Sequence, residues 1–148
     1  MTLKITTACI FLLIITIIDC KKFIIPDLIL IIFFMTMLAF DLYTGKESIP
    51  RHAVEALVMF LIFWLIYHFS GGLGFGDVKF IGCITYTFGF ISSIYVCLAA
   101  SIMGLVFFGV NRVIGVKKVK RIPFAPFLAV GCIVYLILRG LVKWKRHC

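Results

Sequence analysis

The chain has 148 residues, 64% of them hydrophobic and 14% charged, with a mean hydropathy of +1.20, an apolar fraction that excludes an ordinary soluble domain. Its net charge of +9 would suit nucleic acid, but the Lys and Arg sit at the ends of apolar runs, as in Lys21-Lys22, Lys117 to Arg121 and Lys143 to Arg146. That placement fits lipid headgroups and topology control and argues against a nucleic-acid partner.

Six apolar runs follow in chain order, at about Leu3 to Ile18, Phe23 to Phe40, Ala53 to Phe69, Val78 to Phe90, Ile91 to Val110 and Phe124 to Leu138. They predict an all-α integral membrane protein of about six transmembrane helices, five being the other possible count, within a single polytopic domain over residues 1–148. The first run is followed by Asp19-Cys20-Lys21-Lys22 and lacks a small-residue cleavage site, so it reads as a retained helix rather than a signal peptide. Asp19 ends that run, and Pro26 followed by Asp27 is a good start for the second helix. The third run closes on glycines at 71, 72, 74 and 76, which let backbone approach a substrate or another helix closely. Asp77 leads out of this turn into the fourth run. Were residues 80–110 one helix, it would be about 46 Å long against a hydrocarbon core of about 30 Å, so a break is expected near Gly89.

With six helices, the loops at 20–22, 70–79 and 111–122 share one side and hold eight Lys and Arg, against three on the other side outside the C-terminal tail. The positive-inside rule makes the first side cytoplasmic. On either helix count Asp19 and Asp77 lie on the same side, at the ends of apolar runs where charge is costly and so marks a functional candidate.

Two facing carboxylates in a low-dielectric setting cannot easily both ionise, and the pair holds one proton near neutral pH. The ionised member can activate water while the protonated member polarises a carbonyl, the logic of an aspartic protease. A structural reading stands beside this one: Asp19 ends a helix near Lys21 and Lys22, and Asp77 caps the next, favoured by its dipole. Asp27 reads as a helix-start acid, and Lys79 as a cation reaching for headgroups. Other chemistries lack their residues. Asp77 stands where a P-loop would need Lys, and His52, His68 and His147 form no H-E-x-x-H. The six cysteines form no C-x-x-C pair, so neither a disulfide framework nor a zinc ribbon is supported. No metal and no cofactor is expected.

Three segments together resemble a known family. They are Asp19 followed by Ile25-Pro26-Asp27, Gly74-Phe75-Gly76-Asp77-Val78-Lys79, and Ile122-Pro123-Phe124-Ala125-Pro126-Phe127-Leu128-Ala129. In this order they resemble the type IV prepilin peptidases and archaeal preflagellin peptidases, membrane aspartic proteases of the G-x-G-D type. Ala125 stands where the family's last motif usually has Gly. The resemblance implies that Asp19 and Asp77 are the catalytic pair, with Gly74, Gly76, Lys79, Pro26 and Asp27 supporting the substrate or the turns. It implies cleavage of basic leader peptides from type IV prepilin-like or preflagellin-like precursors at the cytoplasmic face of the cell membrane. It further implies a short, peptidase-only form without the N-terminal methyltransferase region, and it implies no oligomeric state. Two readings of other classes use the same acids: a channel or transporter with Asp19 and Asp77 as cation or proton sites, and a pilus-assembly scaffold without activity.

Overall fold

A computed structural model of the chain describes residues 2–45, 49–70, 72–113 and 124–145, and these fold as six helices. The helices are α1 (Thr2–Lys22), α2 (Asp27–Tyr43), α3 (Ile49–Ser70), α4 (Phe75–Phe88), α5 (Phe90–Val113) and α6 (Ala125–Lys145). Gly71, the basic cluster from Lys117 to Arg121, Ile122-Pro123 and His147, all drawn on by the sequence reading, lie outside the described residues. Within the helices Leu3–Lys22, Ile49–Ser70 and Phe90–Arg112 are long and apolar enough to cross a membrane, whereas the apolar stretch of α6, Ala125–Arg139, is shorter. At about 1.5 Å per residue, α2 and α4 reach only about 26 and 21 Å. The outward faces carry exposed Leu13, Ile31, Leu61, Leu105 and Ile137, an apolar exterior that suits lipid. The protein is an all-helical membrane protein.

The helix ends depart from the apolar runs for local reasons. α1 continues three residues past Asp19 to Lys22, because Lys21 and Lys22 in its last turn complement the helix dipole. The chain then stops at Phe23, whose φ of 52° is left-handed and whose N–H bonds the Asp19 carbonyl at 2.8 Å. This is the usual left-handed helix stop, built without glycine, at a cost of about 1–2 kcal/mol. α2 starts at Asp27 instead of Phe23, since the residue before a proline disfavours helix and Pro26 sits at the cap with φ −67° and ψ 126°. α4 starts earlier than its apolar run, at Phe75, with Gly74 as its cap.

The break expected near Gly89 is present. Gly89 has φ 90° and ψ 163°, a region essentially reserved for glycine, and it separates α4 from α5. Its N–H closes α4 on the Thr85 carbonyl at 2.8 Å. Glu55 of α3 accepts the Phe90 N–H at 3.0 Å, satisfying the first amide of α5, and is itself held by Arg51 at 2.8 Å. A Cβ at position 89 would lie 3.5 Å from the Glu55 carboxylate, an ordinary contact, so the barrier to substitution is the backbone angle. Gly89→Ala is therefore expected to destabilise the protein by about 1–3 kcal/mol. Thermal unfolding in detergent measures this, and an unchanged midpoint would contradict it.

The core positions the two ends that matter. On α1, Ala8, Leu12, Ile15 and Asp19 recur at helical spacing and are buried. On α6, Ala125, Leu128, Ala129 and Cys132 do the same, and the two helices pack together. α4 packs against α2, α3 and α5, burying Val78, Phe80, Ile81, Ile84, Thr85 and Tyr86. Helices α5 and α6 approach closely at Gly131, where a Cβ would meet the Val96 carbonyl oxygen at 2.8 Å.

Candidate active site

A cavity of about 450 Å³ opens where the turn after α1 meets the start of α4, and Asp19, Pro26, Asp27, Gly74, Gly76, Asp77 and Lys79 all line it. Every residue that the sequence put forward for the site is thus brought to one place. Phe23, Ile24, Ile25 and Phe75 add apolar wall.

Asp19 belongs to the buried stripe of α1 and is only 5% exposed. Its Oδ2 accepts the backbone N–H of Ala125, the first residue of α6, at 3.1 Å. A residue that merely ended a helix would sit in solvent, and this one does not. Asp77 is the third residue of α4. Its N–H donates to the Gly74 carbonyl at 3.0 Å, and its carboxylate accepts a hydrogen bond from the Gly74 backbone and repels that of Asp19 electrostatically. Folding back on the cap amide is one half of a capping box, so Asp77 serves the helix start and faces the cavity as well.

The two motif glycines have separate steric reasons. A Cβ on Gly74 would lie 2.9 Å from the Asp77 Oδ2, and one on Gly76 would lie 3.2 Å from the Ile25 Cβ. The first vacancy makes room for the carboxylate. The second lets the start of α4 close on the 23–26 turn, which is how Asp77 reaches the Asp19 end of α1.

Lys79, read from the sequence as a cation reaching for headgroups, also has partners within the protein. Its Nζ donates to Asp27 Oδ1 at 2.8 Å and lies 4.7 Å from the centre of the Phe75 ring. The ion pair ties the start of α2 to the second turn of α4 across the cavity rim. With side chains 31% and 62% exposed for Lys79 and Asp27, it contributes no more than about 1 kcal/mol.

Two of the features not legible in the sequence concern buried acids. One is the Ala125 amide on Asp19. The other is a polar cluster at the opposite end of α1, where Lys4 donates to both oxygens of Asp41 at 2.8 and 2.7 Å. Asp41 is 1% exposed, the Tyr86 ring lies 5.8 Å from the Lys4 ammonium, and His52 meets Tyr86 edge-on at 6.2 Å. The signal that could have found it was an acid inside an otherwise apolar stretch, which needs a partner. Among the described residues no group of three or more His, Cys, Asp or Glu is arranged to hold a metal ion.

The profile of the type IV leader peptidase family matches residues 6–109, a span that holds both Asp19 and Asp77 and ends before α6. The chain is 30% identical over 139 residues to the prepilin leader peptidase/N-methyltransferase of Pectobacterium carotovorum subsp. carotovorum, covering 88% of this chain and 49% of that protein. It is 28% identical over 138 residues to the protein of that name from Aeromonas hydrophila, covering 87% and 47%. With the one from Escherichia coli (strain K12) it shares 24% over 143 residues, covering 93% and 62%. No solved structure matches. The chain spans about half the length of the first two relatives. The family match runs over most of the chain and takes in both cavity acids: the chain belongs to the type IV leader peptidase family.

Proposed function

We propose that the protein is a membrane aspartic endopeptidase that removes the basic leader peptide from type IV prepilin-like or preflagellin-like precursors at the cytoplasmic face of the cell membrane. The observation that carries this reading is the meeting of Asp19 and Asp77 in one cavity, within a chain whose relatives are named prepilin leader peptidases. The pair shares one proton. The ionised carboxylate takes a proton from water as it attacks the scissile carbonyl, while the protonated one hydrogen-bonds the carbonyl oxygen. Collapse of the tetrahedral intermediate then delivers a proton to the departing amine, leaving the pair with one proton again. The apolar wall of Phe23, Ile24, Ile25 and Phe75 limits competing water, and the open side of the cavity admits an extended peptide.

The test is purified protein in liposomes, incubated with a precursor carrying a basic leader, a Gly and then an apolar helix. Conversion to the mature form, read on a gel and by mass spectrometry of the new N-terminus, is expected. Ion flux across the same liposomes without conversion would favour the transporter reading instead, and neither activity would favour the scaffold.

Orientation is tested separately. Cys20 is exposed on the last turn of α1, one residue from Asp19, so it reports which side the cavity faces. With the other five cysteines replaced, Cys20 in intact cells is expected to resist a membrane-impermeant maleimide and to react after permeabilisation. Labelling in intact cells would reverse the orientation.

A further inference from the structure

The third sequence segment, Phe124 to Ala129, has no part in the reaction as described so far, yet it touches the site. Ala125 is completely buried and opens α6. The first amides of a helix have no partner within it, and a buried amide left unsatisfied is costly. Around this turn the donors are sorted. Phe127 and Leu128 both donate to the Phe124 carbonyl, at 3.1 and 3.2 Å, and Pro126 has no N–H to give. Among residues 125–128 the Ala125 amide is therefore the one donor directed out of the helix, and Asp19 Oδ2 receives it at 3.1 Å. The acceptor also lies at the positive end of the α6 dipole. Rotation of an aspartate carboxylate about its last torsion is soft and roughly two-fold, so pinning one oxygen decides how the other is directed.

We propose that the Ala125 backbone amide, aimed by the first turn of α6, is a positioning group for cleavage, fixing Asp19 through Oδ2 so that its other oxygen is held ready for water. This rests on the reading of Asp19 and Asp77 as the catalytic pair. The sequence of the segment then has a physical purpose beyond starting a helix. Pro126 removes a competing donor, and the small side chain of Ala125 lets the amide reach α1.

The amide can be removed without touching a side chain. Cell-free synthesis into liposomes with a suppressor tRNA carrying lactic acid replaces the N–H of Ala125 by an ester oxygen. The same replacement at Ala129, one turn further on and inside the helix, is the control. Kinetics are measured on a synthetic precursor peptide with a basic leader, a Gly and an apolar start to the mature part. The ester at 125 is expected to lower kcat at least tenfold with KM within twofold, because misplacement of a reacting group by about 1 Å can cost about a hundredfold. The ester at 129 is expected to leave kcat within twofold while lowering the unfolding midpoint at least as much. Wild-type kcat in the 125 ester, or kcat losses that track the midpoint in both esters, would overturn the proposal. Ala125→Pro deletes the same N–H at a first helical position, where proline is well suited. It must show the same split of kcat from KM, and a folded variant with wild-type kcat also overturns it. Asp19→Asn is run in parallel: if it cleaves, the catalytic-pair reading itself fails, whereas an inactive Asp19→Asn beside a fully active 125 ester defeats the positioning role alone.

Discussion

Asp19→Asn and Asp77→Asn are each expected to abolish precursor cleavage while membrane abundance stays near that of the wild type. The substitution keeps the shape of each side chain and removes the group that exchanges a proton with water. The carboxamide introduced at position 19 still presents an oxygen to the Ala125 amide, and the one introduced at position 77 still presents an oxygen to the backbone of Gly74, so the hydrogen bonds that carry structure survive. The double variant is expected to be no worse than either single one, because residues that act as a unit are strongly non-additive. Glu at either position should also fail, since an added methylene moves the carboxylate by about 1 Å and such a shift can cost about a hundredfold. Asp27→Asn is the contrast. It weakens a half-exposed ion pair with Lys79, a loss of no more than about 1 kcal/mol, and most cleavage should remain. The measurement is conversion of precursor to mature protein in membranes, scaled to the amount of the variant. Efficient conversion by an abundant Asp19→Asn or Asp77→Asn protein would return that acid to a purely structural role.

The second large effect is expected from a single methyl group. Gly74→Ala inserts a Cβ 2.9 Å from Asp77 Oδ2, a distance no real contact sustains, so one of the two must move. The backbone at 74 has φ −77° and ψ 139°, comfortable for alanine, and it caps α4 through its carbonyl. The movable partner is the end of the Asp77 side chain, which swings away from its cavity position. Stability should therefore change little, within about 1 kcal/mol for an alanine replacing a glycine cap, while kcat falls by about tenfold to a hundredfold. Gly76→Ala differs in kind, because its neighbour is the Cβ of Ile25 at 3.2 Å, and there the turn itself must give. A Gly74→Ala variant with unchanged kcat would mean that the position of the Asp77 carboxylate is not critical.

What the sequence makes legible here are features that announce themselves locally. An acid beside a glycine turn, a proline before an acid, and an apolar stretch too long for one span are each read from a few adjacent residues. All three correspond to real elements, at Asp77, at Pro26-Asp27 and at Gly89. The helix ends are less legible, because they are set by backbone geometry at single residues. Nothing in the composition of Phe23 marks it as left-handed, and the apolar character of Phe23, Ile24 and Ile25 makes a turn look like helix. Least legible are the pairings over distance. Lys4 with Asp41 spans 37 residues, Lys79 with Asp27 spans 52, and Ala125 with Asp19 spans 106. Each depends on which helix lies beside which, and an apolar run of nearly uniform hydropathy carries little record of its neighbours.

The longest of those pairings also bears on how the protein comes into being. The chain is made from its N-terminus, at about 5–20 residues per second, so Asp19 is threaded into the membrane well before the segment that carries Ala125 exists. Until α6 arrives, the carboxylate on α1 lacks its buried donor. Contacts of such sequence separation form late, since the intervening chain must be closed into a loop first. The buried partner of Asp19 is thus supplied only when α6 is inserted, and a nascent chain that has placed just α1 to α5 in the membrane holds both acids but not the amide that pins the first of them.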